Sequence, residues 1–123
     1  MSGLDRVLLA LAGLCGLLGV AASAAAAHTD GGETLRTAAQ FLLFHAPSVI
    51  GLVALAAAGL THSALTRIAG AAILLGLVLF CGDLAMRALA QRSLFPMAAP
   101  SGGIVLMAGW CLVIVAAFVP VRR

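Results

Sequence analysis

Four runs of about twenty apolar residues, separated by short polar or turn-forming stretches, take up almost all of this chain. A helix needs about 20 such residues to cross roughly 30 Å of hydrocarbon. Lipid offers backbone amides no water to bond, so a spanning run must satisfy them internally as a helix. The 123 residues are 63% hydrophobic and 9% charged, whereas a soluble domain carries roughly 25% charged residues. A chain this small could not hide that much apolar surface in water. The expectation is an all-α integral membrane four-helix bundle with short loops, a single transmembrane domain over residues 1–123. The four spans leave no room for a soluble catalytic domain.

The spans are read as residues 7–27, 38–60, 68–90 and 101–119. The first resembles a cleavable leader, because Arg6 precedes it and the alanines before His28 offer small-residue cleavage sites. Its apolar run of about 21 residues is longer than a leader core and long enough to span, so it is expected to be retained. Asp30 and Glu33 have the spacing of a helix cap with its reciprocal partner and mark the start of the second helix. Thr61, His62 and Ser63 form a turn. Pro96 and Pro100 lie in the connector after the third span, and Pro100 suits a first helical turn, where its missing N–H costs nothing. Pro120 ends the fourth helix.

An even number of spans puts both termini on one side. That side collects Arg6, Arg67, Arg122 and Arg123, against Arg36, Arg92 and Arg87 on the other. Arginine excess marks the cytoplasmic face, so both termini are predicted to be cytoplasmic, in the inner membrane of a bacterium. The net charge of +3 sits at helix ends without interleaved aromatics. That pattern suits lipid headgroups and not a nucleic-acid surface. Cys15, Cys81 and Cys111 each lie inside an apolar run. They have no disulfide or zinc spacing and read as small buried residues.

Helices in lipid associate through close packing, which requires small residues at the contact. The first helix offers Ala12 with Gly16 and Gly19 with Ser23. The second offers Gly51, Ala54 and Ala58. The third aligns Ala72, Gly76, Phe80, Asp83 and Arg87, with Gly82 beside them. The fourth has Gly102, Gly103 and Gly109. These stripes predict a compact bundle, and packing within the chain is favoured over a dimer motif.

Asp83 is the most informative polar position, because an ionisable residue within a span must be paired or wet. Arg87, one turn on, supplies an i,i+4 partner. At 1.5 Å per residue Asp83 lies about 22 Å into the membrane, near the far boundary. It reads either as a proton or cation site or, the favoured reading, as an ion pair tethering the following connector. His45, inside the second helix, suits an interhelical hydrogen bond better than proton transfer. His28 lies at the outer end of the first helix, where it suits a capping or headgroup role. The three histidines lie at different depths, which does not suit haem, and no cofactor is expected. Trp110 falls mid-helix, where its indole N–H wants a carbonyl or a polar group of the second helix. No nucleophile set, phosphate loop, zinc spacing or metalloprotease helix occurs, and no enzyme activity is expected.

Taken in order, Ala27-His28, Phe44-His45, Leu79-Phe80-Cys81-Gly82-Asp83-Leu84, Pro100-Ser101-Gly102-Gly103 and Gly109-Trp110 resemble the small bacterial membrane family called domain of unknown function 423. Its eukaryotic relatives include transmembrane protein 256. The resemblance covers nearly the whole chain and implies a four-span inner-membrane protein without an assigned activity. It also implies that the family usually carries Ser at the positions of Cys81 and Asp83, which makes the acid particular to this chain. Two functions stay open. One is a structural or accessory protein that packs against a larger membrane complex or modulates the bilayer. The other is a small oligomeric transporter or channel using Asp83 and His45.

Overall fold

The computed structural model describes residues 1–30 and 32–121. It contains four helices, α1 (Gly3–Ala27), α2 (Gly32–Ala57), α3 (Ser63–Ala90) and α4 (Ala98–Phe118), each long and apolar enough to cross a membrane. They run up and down in sequence order. α3 is the centre and packs against α2 on one side and α4 on the other, while α1 lies on α2 and touches α3. Among the described residues no Cα pair within 8 Å joins α1 to α4, or α2 to α4. The bundle is therefore open along the α1 and α4 sides. Its core is Ile73, Leu77 and Ala69 of α3 with Val49 of α2 and Ala12 of α1, all without exposed surface. Leucines such as Leu14, Leu17 and Leu18 on α1 point outward, as side chains bathed in lipid should.

Local chemistry sets the helix ends. α1 starts at Gly3, before its apolar run, because Ser2 and Asp5 form a reciprocal cap: the Asp5 N–H donates to Ser2 Oγ at 3.1 Å and the Ser2 N–H donates to Asp5 Oδ2 at 3.0 Å. Thr29 Oγ1 donates to the Ala25 carbonyl at the other end. The cap expected from Asp30 and Glu33 falls on a stretch containing Gly31, which lies outside the described residues, as do Arg122 and Arg123. α2 stops at Ala57, short of Leu60. There the Leu60 N–H bonds the Leu55 carbonyl, the Gly59 N–H bonds the Ala56 carbonyl, and Gly59 has φ +71°. This closure needs a left-handed residue, which a side chain disfavours. Gly59→Val should therefore cost about 1–2 kcal/mol, read as a lower midpoint in a detergent unfolding titration. His62 caps α3 by accepting the Leu65 N–H on Nδ1 at 3.3 Å. α4 begins at Ala98, so Pro100 lies in its first turn. Pro47 sits inside α2 and removes one helical hydrogen bond, a loss that membrane helices tolerate.

Candidate functional site

Among the described residues four polar side chains are buried, Asp5, His45, Thr66 and Asp83. Thr66 donates to Thr61 of the α2–α3 turn at 2.8 Å, and the other three build nodes that tie separate elements together. The first joins α2 to α4. Trp110 Nε1 donates to His45 Nε2 at 3.2 Å, and His45 Nδ1 lies 2.7 Å from the Phe41 carbonyl of its own helix. The carbonyl can only accept, so Nδ1 carries the proton and Nε2 is the acceptor. Both ring nitrogens of His45 are thereby committed with the imidazole neutral. Phe41 stacks on His45 with centroids 5.7 Å apart and meets Phe80 of α3 at 4.5 Å. His45 is buried, whereas Trp110 is 41% exposed. The backbones of α2 and α4 are too far apart to pack directly, so this bond is a side-chain bridge over α3. A double-mutant cycle of His45→Leu and Trp110→Phe should give a coupling of about 1 kcal/mol, within the range of membrane hydrogen bonds. Additive single effects would show that the bridge is open.

The second node lies toward the far end of α3. Asp83 has no exposed surface. Its Oδ2 accepts from Arg87 Nε at 2.8 Å and its Oδ1 accepts the Leu94 N–H at 2.7 Å. The carboxylate thus fixes the connector that leads into α4, while Arg87 remains half-exposed.

The third node is one that sequence reasoning missed. Asp5, fully buried, receives Arg67 Nε at 2.7 Å and Nη2 at 3.0 Å. This two-pronged bond ties the start of α1 to α3 across 62 residues. It lies at the membrane edge, before the apolar run of α1. The Arg67 guanidinium, aided by the Ser2 hydrogen bonds, holds the Asp5 carboxyl well below the usual carboxylate range. A depressed carboxyl contributes its stability above the ordinary carboxylate pKa and loses it as pH falls toward the lowered value. The Ser2-x-x-Asp5 cap spacing was the signal available in the sequence.

The glycines divide by what surrounds them. A methyl group added at Gly76 would lie 2.8 Å from the Leu106 nitrogen, and one at Gly102 would lie 2.5 Å from the Phe80 nitrogen. Added at Gly109 it would meet Ile73 Cγ1 at 2.7 Å, and at Gly19 Leu43 Cγ at 2.8 Å. Backbone therefore meets backbone along the α3–α4 seam. Gly16 and Gly82 make ordinary contacts, with neighbours at 3.7 and 3.6 Å. Gly103 is a correction: nothing lies within 4 Å of its missing side chain, because one helical step turns it off the seam. Ser23 and the α2 stripe of Gly51, Ala54 and Ala58 are corrections of the same kind, since all four are exposed. His28 is the C-cap residue of α1 through its backbone N–H to the Ala25 carbonyl, and its side chain is exposed.

Among the described residues, every buried side-chain nitrogen and oxygen has a hydrogen-bond partner, and no three potential metal ligands come together. The nodes hold helices and connectors in place and present no free polar group to the interior.

Comparison with known proteins gives a family model described as protein of unknown function (DUF423), which matches residues 16–103. A UPF0382 membrane protein of Staphylococcus haemolyticus is 28% identical over 120 residues, which cover 92% of this chain and 96% of that protein. No solved structure matches.

Proposed function

We propose, from the premise that this chain belongs to the DUF423 family, that it is a non-enzymatic accessory membrane protein that packs against a larger membrane complex. The observation that carries this reading is the saturation of its inward polar groups. Asp83 is taken by Arg87 and the Leu94 amide, and His45 by Trp110 and the Phe41 carbonyl. An ion or proton path needs groups that exchange partners, and these have protein partners at hydrogen-bond distance. A transporter or channel working through Asp83 and His45 is therefore the weaker reading.

The exposed small residues Gly51, Ala54 and Ala58 fit the same picture, because a second helix can approach such a face closely. A methyl group at Gly51 would meet nothing within 4 Å and the position is exposed, so Gly51→Leu should leave the fold intact while blocking a partner. Extraction in a mild detergent followed by mass analysis tests this. We expect a large stoichiometric membrane partner with the unaltered chain, and a lone chain of unchanged thermal stability with Gly51→Leu. If the unaltered chain is itself monomeric or copurifies only with a second copy, or if Asp83→Asn inserts normally but abolishes an ion flux in proteoliposomes, the accessory reading falls. Both termini are proposed to face the cytoplasm, which reporter fusions at Asp30 and at the C-terminus would test.

A further inference from the structure

The open side between α1 and α3, floored by α2, holds an apolar groove of about 510 Å³, well inside the 300–1,000 Å³ range of small-molecule sites. Its walls include Leu14, Leu18 and Ala25 of α1, Leu35 and Leu42 of α2, and Leu89 of α3. From Leu11 to Ala25 it follows α1 for about 21 Å at 1.5 Å per residue. One leaflet is about 15 Å of hydrocarbon, so the groove is as long as a lipid chain. Its outer end, at Ala25, Leu35 and Leu89, opens where α1 ends, α2 begins and α3 ends.

The helix ends around that mouth carry charges of both signs. Arg36 follows Leu35, Arg92 comes three residues after Leu89, and Asp30 and Glu33 lie in and beside the α1–α2 turn. All four are exposed. The two ion pairs found among the described residues use Asp5 with Arg67 and Asp83 with Arg87, so none of these four is in an ion pair among those residues. Two guanidinium groups can take a phosphate, and two carboxylates can take an ammonium. A purely anionic headgroup would satisfy the arginines and be repelled by the acids.

We propose that this groove is a binding site for one zwitterionic aminophospholipid, with an acyl chain along α1 and the phosphoethanolamine headgroup at the mixed-charge mouth. The site does not depend on the accessory reading above, since a transporter or a subunit could equally hold a lipid there.

Native mass spectrometry of the full chain, purified in mild detergent and supplied with phosphatidylethanolamine, phosphatidylglycerol or phosphatidylcholine, tests the proposal. We expect one retained phosphatidylethanolamine per chain and about tenfold less of the other two. Ala21→Trp, which projects a ring into the groove from α1, should lower retention about tenfold. Ala85→Phe fills it from α3 and serves if the first variant misfolds, with the detergent melt of each confirming the fold. Arg36→Gln combined with Glu33→Gln should abolish the headgroup preference while chain binding persists. Retention of no lipid, equal retention of the three, or retention unaffected by a folded groove-filling variant would overturn the proposal. So would recovery from the native membrane of a stoichiometric quinone, hydrocarbon or peptide in the groove.

Discussion

Gly102→Ala should destabilise the protein by about 3 kcal/mol, the upper end for overpacking, although it adds a single methyl group. That methyl would lie 2.5 Å from the Phe80 nitrogen and 2.9 Å from the Gly76 carbonyl oxygen. Both are helix backbone, so relief requires moving α4 away from α3 as a body. Gly76→Ala should behave alike, because it meets the Leu106 nitrogen and the Gly102 carbonyl at 2.8 and 2.9 Å. Gly109→Ala should cost less, since the nearest backbone atom, the Ile73 nitrogen, lies at 3.2 Å and not below 3 Å. Gly103→Ala, one residue along, is the internal control. It meets nothing within 4 Å, and exchanging Gly for Ala in a helix interior favours the helix by up to about 1 kcal/mol. Unfolding titrations in mixed micelles would rank the four. Equal effects at Gly102 and Gly103 would show that the seam is not closed in the membrane.

That contrast marks where the sequence stops being legible. Apolar runs of span length declare four helices, because lipid leaves the backbone no other way to satisfy its amides. Small residues at i,i+4 declare that a helix can be approached closely, but not from which direction or by what. So Gly102 and Gly103 looked equivalent, and Gly51, Ala54 and Ala58 looked like interior packing although they face outward. Trp110 declared a need for an acceptor, yet the sequence could not name His45, 65 residues away, without the register of α4 against α2. Asp83 and Arg87 were legible as a pair because they share one helix. The amide of Leu94 was not, since the path of the connector decides where it points. Asp5 was passed over because it lies outside the apolar runs, where charged residues normally face water.

Replacing Arg67 by Glu should have the largest effect of any surface-proximal substitution, because it acts on the fold and on insertion together. Asp5 has no exposed surface, so a second carboxylate in place of the guanidinium would repel it with little water between them, and α1 would lose its anchor on α3. Arg67→Lys should be intermediate, since an ammonium keeps the charge but cannot reproduce the bonds now made by Nε and Nη2 at 2.7 and 3.0 Å. The exchange Asp5→Arg with Arg67→Asp should recover much of the lost stability but not all, because Asp5 also accepts the Ser2 N–H that caps α1. Detergent melts should therefore rank the unaltered chain first, then Arg67→Lys, then the exchange, and Arg67→Glu last. The same series separates packing from topology. Arg67→Glu leaves three arginines on each side of the sequence-based count, which removes the asymmetry from which cytoplasmic termini are proposed, whereas the exchange keeps it. Reporter fusions should then show mixed orientation for Arg67→Glu alone. Mixed orientation in the exchange as well would mean that the cap and the ion pair, and not the arginine balance, fix how the first helix enters the membrane.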